Sequence, residues 1–175
     1  MKIILLRHAE TEDNFLGKIQ GRENVLLNDT GKRQIVNLKR TREFNVDKCY
    51  TSPLTRCFET ALILVGDKVE IKKDDRLIQR EMGELTGREI LEYNKYQFWD
   101  YTRNRNDYGI ESIKDLFKRC RSFLRSLEGD TILIVTHGEV YRALRHLLLK
   151  HKISGNLLDS NINCCMIEEF NYKEW

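Results

Sequence analysis

Two uninterrupted apolar runs, each followed closely by a histidine, constrain the fold of this chain more than any other feature. Residues 3–6 (IILL) lead directly into Arg7 and His8, and residues 132–135 (ILIV) are followed one residue later by His137. A short continuous apolar run is typical of a strand that is covered on both faces, as in a parallel sheet. Ligands of such sheets bind beyond the carboxyl ends of the strands. We therefore expect the polar residues after both runs to lie at a ligand site.

Shorter patterns with strand or helix periodicity fill the rest of the chain and alternate along it. Further strands are predicted over residues 49–52, 69–72 and 163–170, and helices over 31–43, 53–66, 87–99, 112–127 and 140–151. Strands that alternate with helices are typical of a mainly parallel sheet with helices on both faces. The sequence therefore predicts an α/β fold.

Charge balance and cysteine content narrow the functional classes. The 175 residues fit one domain, 1–175, and their 30 basic and 27 acidic side chains give a net charge of +3. This balance is too weak to indicate nucleic acid as a partner. No run approaches the ~18 apolar residues of a membrane span, and the run at 3–6 is too short for a signal peptide. The five cysteines form no Cys-x-x-Cys pair, which favours a reduced, cytoplasmic setting without disulfides or a cysteine zinc site.

Four side chains stand at predicted strand ends or helix starts, namely Arg7, His8, Arg56 and His137. Two arginines and two histidines without evident metal-binding carboxylates indicate an anion site, and phosphate fits because guanidinium groups bind its oxygens bidentately. A phosphoryl group in transfer spreads negative charge over three oxygens, which the arginines and a protonated histidine can stabilise. A second histidine, kept neutral by neighbouring cations, can attack phosphorus. Such chemistry needs no metal and no organic cofactor.

The segment LLRHAETEDN resembles the Arg-His-Gly-Glu-Thr-x-x-Asn signature of the histidine phosphatases, also called the phosphoglycerate mutase-like superfamily. Four later segments are similar to motifs of that family, in the same order: QGRENVLLNDTGKRQ, TSPLTRCFETA, GIESIKDLFKRCRSFL and IVTHGEVYRAL. The resemblance spans nearly the whole chain. It implies a three-layer α/β/α sandwich whose mostly parallel sheet has one antiparallel strand.

The resemblance also implies roles for individual residues. His8 corresponds to the histidine that becomes phosphorylated. The residues that correspond to the family's phosphate-binding positions are Arg7, Asn14, Gln20, Gly21, Arg56, His137 and Gly138. We therefore expect one pocket formed by loops from both ends of the chain.

One departure from the family pattern concerns the proton donor. The family places a glutamate four residues before a glycine, and this chain has Gln79 there, which can hold a leaving oxygen but cannot protonate it. Glu81 is our predicted substitute, because a two-residue step keeps the same side of an extended segment. Glu111 matches a family glutamate, but its position fits a charge at a helix start better than an acid. A general acid contributes about 10²–10⁴-fold to the rate.

Residues 87–109 combine polar and aromatic side chains, and the corresponding stretch of the family forms a lid over the substrate. The aromatic rings of this segment could equally cover the core, so both interpretations stay open. We expect the segment to determine specificity.

The sequence thus predicts a phosphomonoesterase that acts through a phosphohistidine on His8. Its partner is expected to be a small phosphorylated metabolite, not nucleic acid or a membrane, while the substrate and the oligomeric state stay open. A phosphoglycerate-type mutase is one alternative, although mutases of the family carry longer insertions than this chain has room for. Gln79 keeps a second alternative open, a phosphate-binding module with weak or no turnover.

Overall fold

A five-stranded sheet forms the centre of the computed structural model, which describes residues 1–159 and 161–173. The strands are β1 (Lys2–Arg7), β2 (Lys48–Thr51), β3 (Ile71–Lys73), β4 (Thr131–Thr136) and β5 (Ile167–Asn171), in the order β3-β2-β4-β1-β5. All neighbouring pairs are parallel except β1 and β5. The two apolar runs identified in the sequence are the adjacent central strands β1 and β4, as a covered parallel sheet requires.

Helices cover both faces of this sheet, which confirms the predicted three-layer α/β/α sandwich. The helices are α1 (Glu12–Phe15), α2 (Asp29–Thr41), α3 (Thr55–Val65), α4 (Lys95–Phe98), α5 (Ile113–Arg125) and α6 (Gly138–Leu148). Short 3₁₀ helices occur at Gly66–Lys68, Asp75–Leu77, Gly83–Leu85, Ile90–Glu92 and Asp107–Gly109. Side chains of β1 alternate between the two cores: Ile3 and Leu5 pack with α5 and α6, and Ile4 and Leu6 pack with α2 and α3. Each such fully buried residue contributes roughly 1.5–3 kcal/mol to stability.

Capping residues explain where two helices begin. The side chain of Asn28 accepts a hydrogen bond from the backbone N–H of Gly31 at 2.8 Å, which starts α2 at Asp29. Ser112 caps α5 in the same way by accepting from the N–H of Asp115. A polar side chain at this position satisfies a backbone donor that the helix itself leaves unpaired.

The predicted helix over residues 87–99 is wrong. The segment contains only the 3₁₀ helix Ile90–Glu92 and the single turn α4. Gly87 has a φ of +83°, and Asn94 caps α4 by accepting from the N–H of Gln97, so the chain restarts twice within the segment. Contacts of individual rings with the protein interior therefore outweigh the helical tendency of the segment.

Smaller shifts have local causes. The last strand begins at Ile167 rather than at residue 163, because the N–H of Met166 bonds to the carbonyl of Asn163 and closes a turn in which Cys165 has a φ of +56°. The first helical residue after Pro53 is Thr55, so the proline precedes the helix. The carboxyl ends of β1, β2 and β4 nevertheless open at the same edge of the sheet. None of the helices in the described part of the chain is long and apolar enough to cross a membrane.

Candidate active site

Three elements bring the polar residues singled out in the sequence together at this edge. His8 directly follows β1, and its N–H continues the ladder by donating to the carbonyl of Thr136 at 2.9 Å. His137 follows β4, and its ring lies edge-on to that of His8 with the centroids 5.2 Å apart. Arg56 lies in the first turn of α3. Because β1 and β4 are adjacent and parallel, residues that are 129 apart in the chain meet at one place.

The hydrogen bond of His8 selects the tautomer of its ring. Nδ1 lies 2.7 Å from the carbonyl oxygen of Ala9, which can only accept, so Nδ1 carries the proton and Nε2 keeps its lone pair. Burial lowers the pKa of His8 well below its usual value of 6.5, and the positive charges of Arg7 and Arg56 lower it further. The hydrogen bond to Ala9 opposes this shift only in part. His8 is therefore a neutral imidazole with a free nucleophilic nitrogen.

Both arginines present a buried donor for which the described residues offer no acceptor. Arg56 donates from its terminal nitrogens to the carbonyls of Gly21 (3.0 Å) and Glu23 (2.7 Å), but its Nε is unpaired. Arg7 donates from Nη1 to the carbonyl of Ile162, and its Nε is likewise unpaired. A buried donor left without a partner costs roughly 1–3 kcal/mol. An anion that accepted from both groups would remove this cost.

His137 lies behind the site rather than on its surface. The ring is fully buried, and Nε2 lies 2.7 Å from Oγ of Ser52 and 3.4 Å from Sγ of Cys57. Burial lowers the pKa of His137 well below its usual value, and Arg56 and His8 add to the shift. The second histidine, expected from the sequence to be protonated, is thus neutral in this structure. A bound phosphate would oppose these effects with its negative charge.

A cavity of about 260 Å³ opens in front of His8. Its lining includes most of the predicted site residues, namely Arg7, His8, Asn14, Gln20, Arg56, Gln79 and Gly138. Gly138 is the first residue of α6, so the positive end of that helix dipole points into the cavity. The electrostatic character of the cavity favours an anion.

Gly21 does not line the cavity, although the sequence placed it among the phosphate-binding residues. Its carbonyl accepts from Arg56, so it positions a guanidinium group instead of contacting a ligand. The backbone of Gly21 has a φ of +52°, and a Cβ atom there would meet Oγ1 of Thr86 at 2.5 Å. A side chain is therefore disfavoured at this position both by conformation and by space.

The structure does not place Glu81 where a substitute acid must be. The prediction assumed an extended segment, but Met82 turns in the α region and Gly83 has a φ of +50°. The Glu81 carboxylate consequently folds back onto the N–H groups of Met82 and Gly83, both at 3.1 Å, and faces Arg22 at 3.6 Å. It lies outside the cavity lining.

Glu111 also points away from the cavity. Its carboxylate forms a two-pronged ion pair with Arg119, at 2.7 and 2.9 Å, and lies 3.5 Å from Arg22. Of the three positions considered for the acid, only Gln79 contributes to the cavity lining. The oxygen of its side-chain amide accepts from the N–H of Arg80 at 3.1 Å.

Sequence reasoning missed Glu139, the one carboxylate that lines the cavity among the described residues. Its Oε2 accepts from Nη1 of Arg80 (3.1 Å), the hydroxyl of Tyr93 (3.0 Å) and Nε1 of Trp99 (2.9 Å). Its place in the segment IVTHGEVYRAL, two residues after a site histidine and in the first turn of α6, was the available signal. The partner Arg80 is fully buried and was not singled out either.

The aromatic rings of segment 87–109 are divided between the cavity and the core. Tyr93 lines the cavity together with Lys95 and Ile90, whereas Trp99 is fully buried in the core between α5 and α6. Tyr96 is exposed. The segment thus forms one wall of the cavity, held in place by its buried rings.

Comparison with known proteins extends these observations. The chain matches the family model of the histidine phosphatase superfamily (branch 1) over residues 3–174. It is 34% identical over 158 residues to phosphoglycerate mutase-like protein 4 of Arabidopsis thaliana, and the aligned region covers 82% of this chain and 69% of that relative. It is 33% identical over 162 residues to phosphoserine phosphatase 1 of Hydrogenobacter thermophilus, covering 85% and 76%. A solved structure of a phosphoserine phosphatase variant from Entamoeba histolytica with phosphoserine superposes with a TM-score of 0.85 at 28% identity, covering 98% of this chain and 91% of that one.

Proposed function

This chain belongs to the histidine phosphatase superfamily, and we propose that it hydrolyses phosphomonoesters through a phosphohistidine formed on His8. The observation that carries the proposal is the arrangement in one cavity of a neutral histidine with a free Nε2 and two arginines with unpaired buried donors. The first group is a nucleophile and the others are an oxyanion site. Phosphoryl transfer needs both.

In the first step, the Nε2 lone pair of His8 forms a bond to phosphorus while the bond from phosphorus to the alcohol oxygen breaks. Arg7 and Arg56 stabilise the negative charge that develops on the equatorial oxygens by donating hydrogen bonds to them, and these donors need no rearrangement during the reaction. The departing oxygen takes a proton from water. Gln79 can steady this oxygen by donating a hydrogen bond from its amide.

In the second step, a water oxygen attacks phosphorus and the bond to Nε2 breaks. Inorganic phosphate leaves, the imidazole recovers its lone pair, and one proton of the water passes to the solution, which balances the proton taken up in the first step. The carbonyl of Ala9 holds Nδ1–H in place throughout, so the same tautomer is ready for the next cycle.

The absence of an acid at Gln79 sets the expected substrate dependence. Without a proton donor, the first step depends on how well the alcohol leaves as an anion, and about 10²–10⁴-fold of rate is at stake for poor leaving groups. We expect aryl phosphates to be cleaved much faster than alkyl phosphates. Small phosphorylated metabolites are the proposed substrate class, in keeping with relatives named phosphoserine phosphatase.

The test is a comparison of phosphate release by the wild type, His8→Ala and the control His151→Ala. His151 is exposed and lies after α6, away from the cavity. We expect the wild type and His151→Ala to hydrolyse 4-nitrophenyl phosphate at the same rate, and His8→Ala to lose at least 10³-fold. Equal rates for His8→Ala and the wild type contradict the proposal.

The same three proteins distinguish phosphomonoester hydrolysis from the two alternative functions, a mutase and a binding module. If 3-phosphoglycerate is isomerised faster than it releases phosphate, the chain is a mutase, as the name of the Arabidopsis relative suggests. Gln79 favours the second alternative, a binding module, which predicts that inorganic phosphate binds while neither aryl nor alkyl phosphate turns over.

A further inference from the structure

The cavity in front of His8 contains a carboxylate that phosphate binding does not need. Glu139 lies in the first turn of α6, directly after Gly138, and shares the cavity with Arg7, His8 and Arg56. A negative charge that shares a cavity with a phosphate dianion is unfavourable. Two explanations account for the carboxylate of Glu139: it binds a positively charged group of the ligand, or it serves only to stabilise the protein structure.

Three donors surround one carboxylate oxygen of Glu139, Oε2. A guanidinium, a phenol and an indole N–H all donate to this one oxygen, and the guanidinium of Arg80 is fully buried. Hydrogen bonds in which one partner is charged are stronger than neutral ones. The position of Oε2 is consequently fixed by three donors from three different side chains.

The second carboxylate oxygen remains available. Oε1 of Glu139 has no hydrogen-bond partner among residues 1–159 and 161–173, while Oε2 is fixed by its three donors. The carboxylate is therefore held in one orientation with one free acceptor. A fixed, mostly buried acceptor of this kind discriminates strongly between ligands that carry a donor and ligands that do not.

Lys95 supplies the complementary charge in the same cavity. It begins α4 and lines the same cavity, and its side chain forms no hydrogen bond or ion pair with the described residues. Burial lowers the pKa of Lys95, the negative charge of Glu139 opposes that shift, and the positive charges of Arg142 and Arg7 add to it. The Lys95 ammonium group therefore lies close enough to Glu139 to interact with it electrostatically. A ligand that carries both a carboxylate and an ammonium group matches this pair.

We infer that Glu139 is a specificity-determining residue that selects phosphomonoesters of α-amino acids, by accepting a hydrogen bond from the substrate's ammonium group while Lys95 binds its carboxylate. The inference rests on the proposed function, because it assumes that the phosphoryl group lies at His8. It separates amino-acid phosphates from phosphorylated hydroxy acids of the same shape.

Three substrates that differ at a single position test this inference. L-Phosphoserine, L-3-phosphoglycerate and 3-phosphopropanoate share the phosphate and the carboxylate but carry an ammonium, a hydroxyl and a hydrogen at carbon 2. In the wild type we expect kcat/KM to fall in that order, by at least 10-fold from the first to the last. A ratio near one overturns the inference.

The role of Glu139 itself is tested by the ratio of kcat/KM for L-phosphoserine to kcat/KM for 3-phosphopropanoate within each variant. This ratio does not depend on how much of a variant is folded. Glu139→Gln should bring it to within about twofold of one, whereas the control Glu128→Gln, an exposed site in the turn before β4, should leave it unchanged. A ratio that Glu139→Gln leaves at the wild-type value means that Glu139 only balances the charge of Arg80, and the inference is wrong.

A measurement on the wild type alone covers the case in which Glu139→Gln does not fold. As the pH rises through the pKa of the phosphoserine ammonium group, the preference for L-phosphoserine over 3-phosphopropanoate should disappear, and a constant preference contradicts the inference.

The aryl phosphate distinguishes failure of this inference from failure of the proposed function. If His8 is needed for hydrolysis of 4-nitrophenyl phosphate but L-phosphoserine is not preferred over 3-phosphopropanoate, only the inference about Glu139 fails. If no substrate shows His8-dependent hydrolysis, the proposed function fails.

Discussion

Replacing Arg80 by methionine should destabilise this protein more than any surface substitution, because one buried guanidinium joins three separate segments. Nε donates to the carbonyl of Glu111 (2.8 Å), Nη2 to the carbonyl of Phe98 (3.0 Å), and Nη1 to Glu139 (3.1 Å) and to the hydroxyl of Tyr93 (3.2 Å). The Arg80 side chain is 0% exposed and that of Glu139 only 10%. The contacts hold the cavity wall against α5 and α6.

The magnitude follows from what methionine leaves behind. Its stem fills much of the same space, but the Glu139 carboxylate loses its cation and two carbonyls lose their donors. Removing one partner of a buried ion pair costs about 3–5 kcal/mol. For a domain of this size, each kcal/mol lowers Tm by about 2–4 °C, so a decrease of roughly 6–20 °C is expected. Total stability is only about 5–15 kcal/mol, so the loss is large.

Urea unfolding followed by circular dichroism measures the free energy of unfolding for each variant. The control Arg88→Met removes an exposed pair with Glu92 at 3.5 Å and should change stability by less than about 0.5 kcal/mol. The double variant Arg80→Met/Glu139→Leu should lose less than the sum of its single variants, because it removes the stranded charge. A loss below about 1 kcal/mol for Arg80→Met, or strict additivity in the double variant, would refute the reasoning.

Three further outcomes are expected. Gln79→Glu supplies an acid inside the cavity and should raise kcat/KM for alkyl phosphates by about 10²–10⁴-fold, with little effect on 4-nitrophenyl phosphate. Equal effects on both substrates would contradict the claim that the wild type lacks a general acid. Because the pKa of His8 lies well below 6.5, kcat/KM corrected for substrate protonation should stay constant as the pH falls from 7 to 6, and a midpoint at 6.5 contradicts this. Below pH 6.5, His8 and His137 stay neutral in the folded protein, whereas the same histidines take up protons in the unfolded chain. The free energy of unfolding should therefore fall by about 1.4 kcal/mol per pH unit for each of these two histidines. The fall should end where the pH reaches their pKa values in the folded protein. His146, whose pKa burial also lowers, adds to the wild-type slope. Urea unfolding of His8→Asn should therefore show a slope smaller by about 1.4 kcal/mol per pH unit, and an unchanged slope contradicts the assignment.

The strands were predictable because hydrophobic patterns report burial directly. Four apolar residues each predict β1 and β4 as strands covered on both faces, and both are buried next to each other in the sheet. Their position also placed His8 and His137 at one edge, since parallel strands end together. The start of α2 follows an equally local rule, because asparagine, here Asn28, is one of the residue types that favour the N-terminal cap of a helix.

Side-chain direction was not predictable, because it depends on contacts between residues far apart in the chain. Glu81 and Glu139 are both glutamates close to site motifs, yet one folds back onto the neighbouring backbone and the other faces the cavity. The difference arises from the turn at Gly83 and from donors supplied by Arg80, Tyr93 and Trp99, which lie 40 to 59 residues before Glu139. No periodicity in the sequence encodes such contacts.

The segment 87–109 shows the same limit at the level of secondary structure. A helix is predicted over residues 87–99 of this segment, but the positive φ of Gly87 and the cap at Asn94 divide that stretch into single turns. Each turn places one ring, such as that of Tyr93 or Trp99, against Glu139. Tertiary contacts here decide the local structure, and a weak propensity does not.

Formation of a phosphoryl group on His8 tests the central claim most directly. The enzyme is mixed with 4-nitrophenyl phosphate, quenched in alkali within the first turnover to preserve the acid-labile N–P bond, digested, and analysed by mass spectrometry. The account predicts a phosphoryl group on the peptide that contains His8, appearing with the burst of 4-nitrophenol and decaying at the rate of phosphate release. Turnover without any phosphoryl group on this histidine, under conditions where a synthetic phosphohistidine survives, would contradict it.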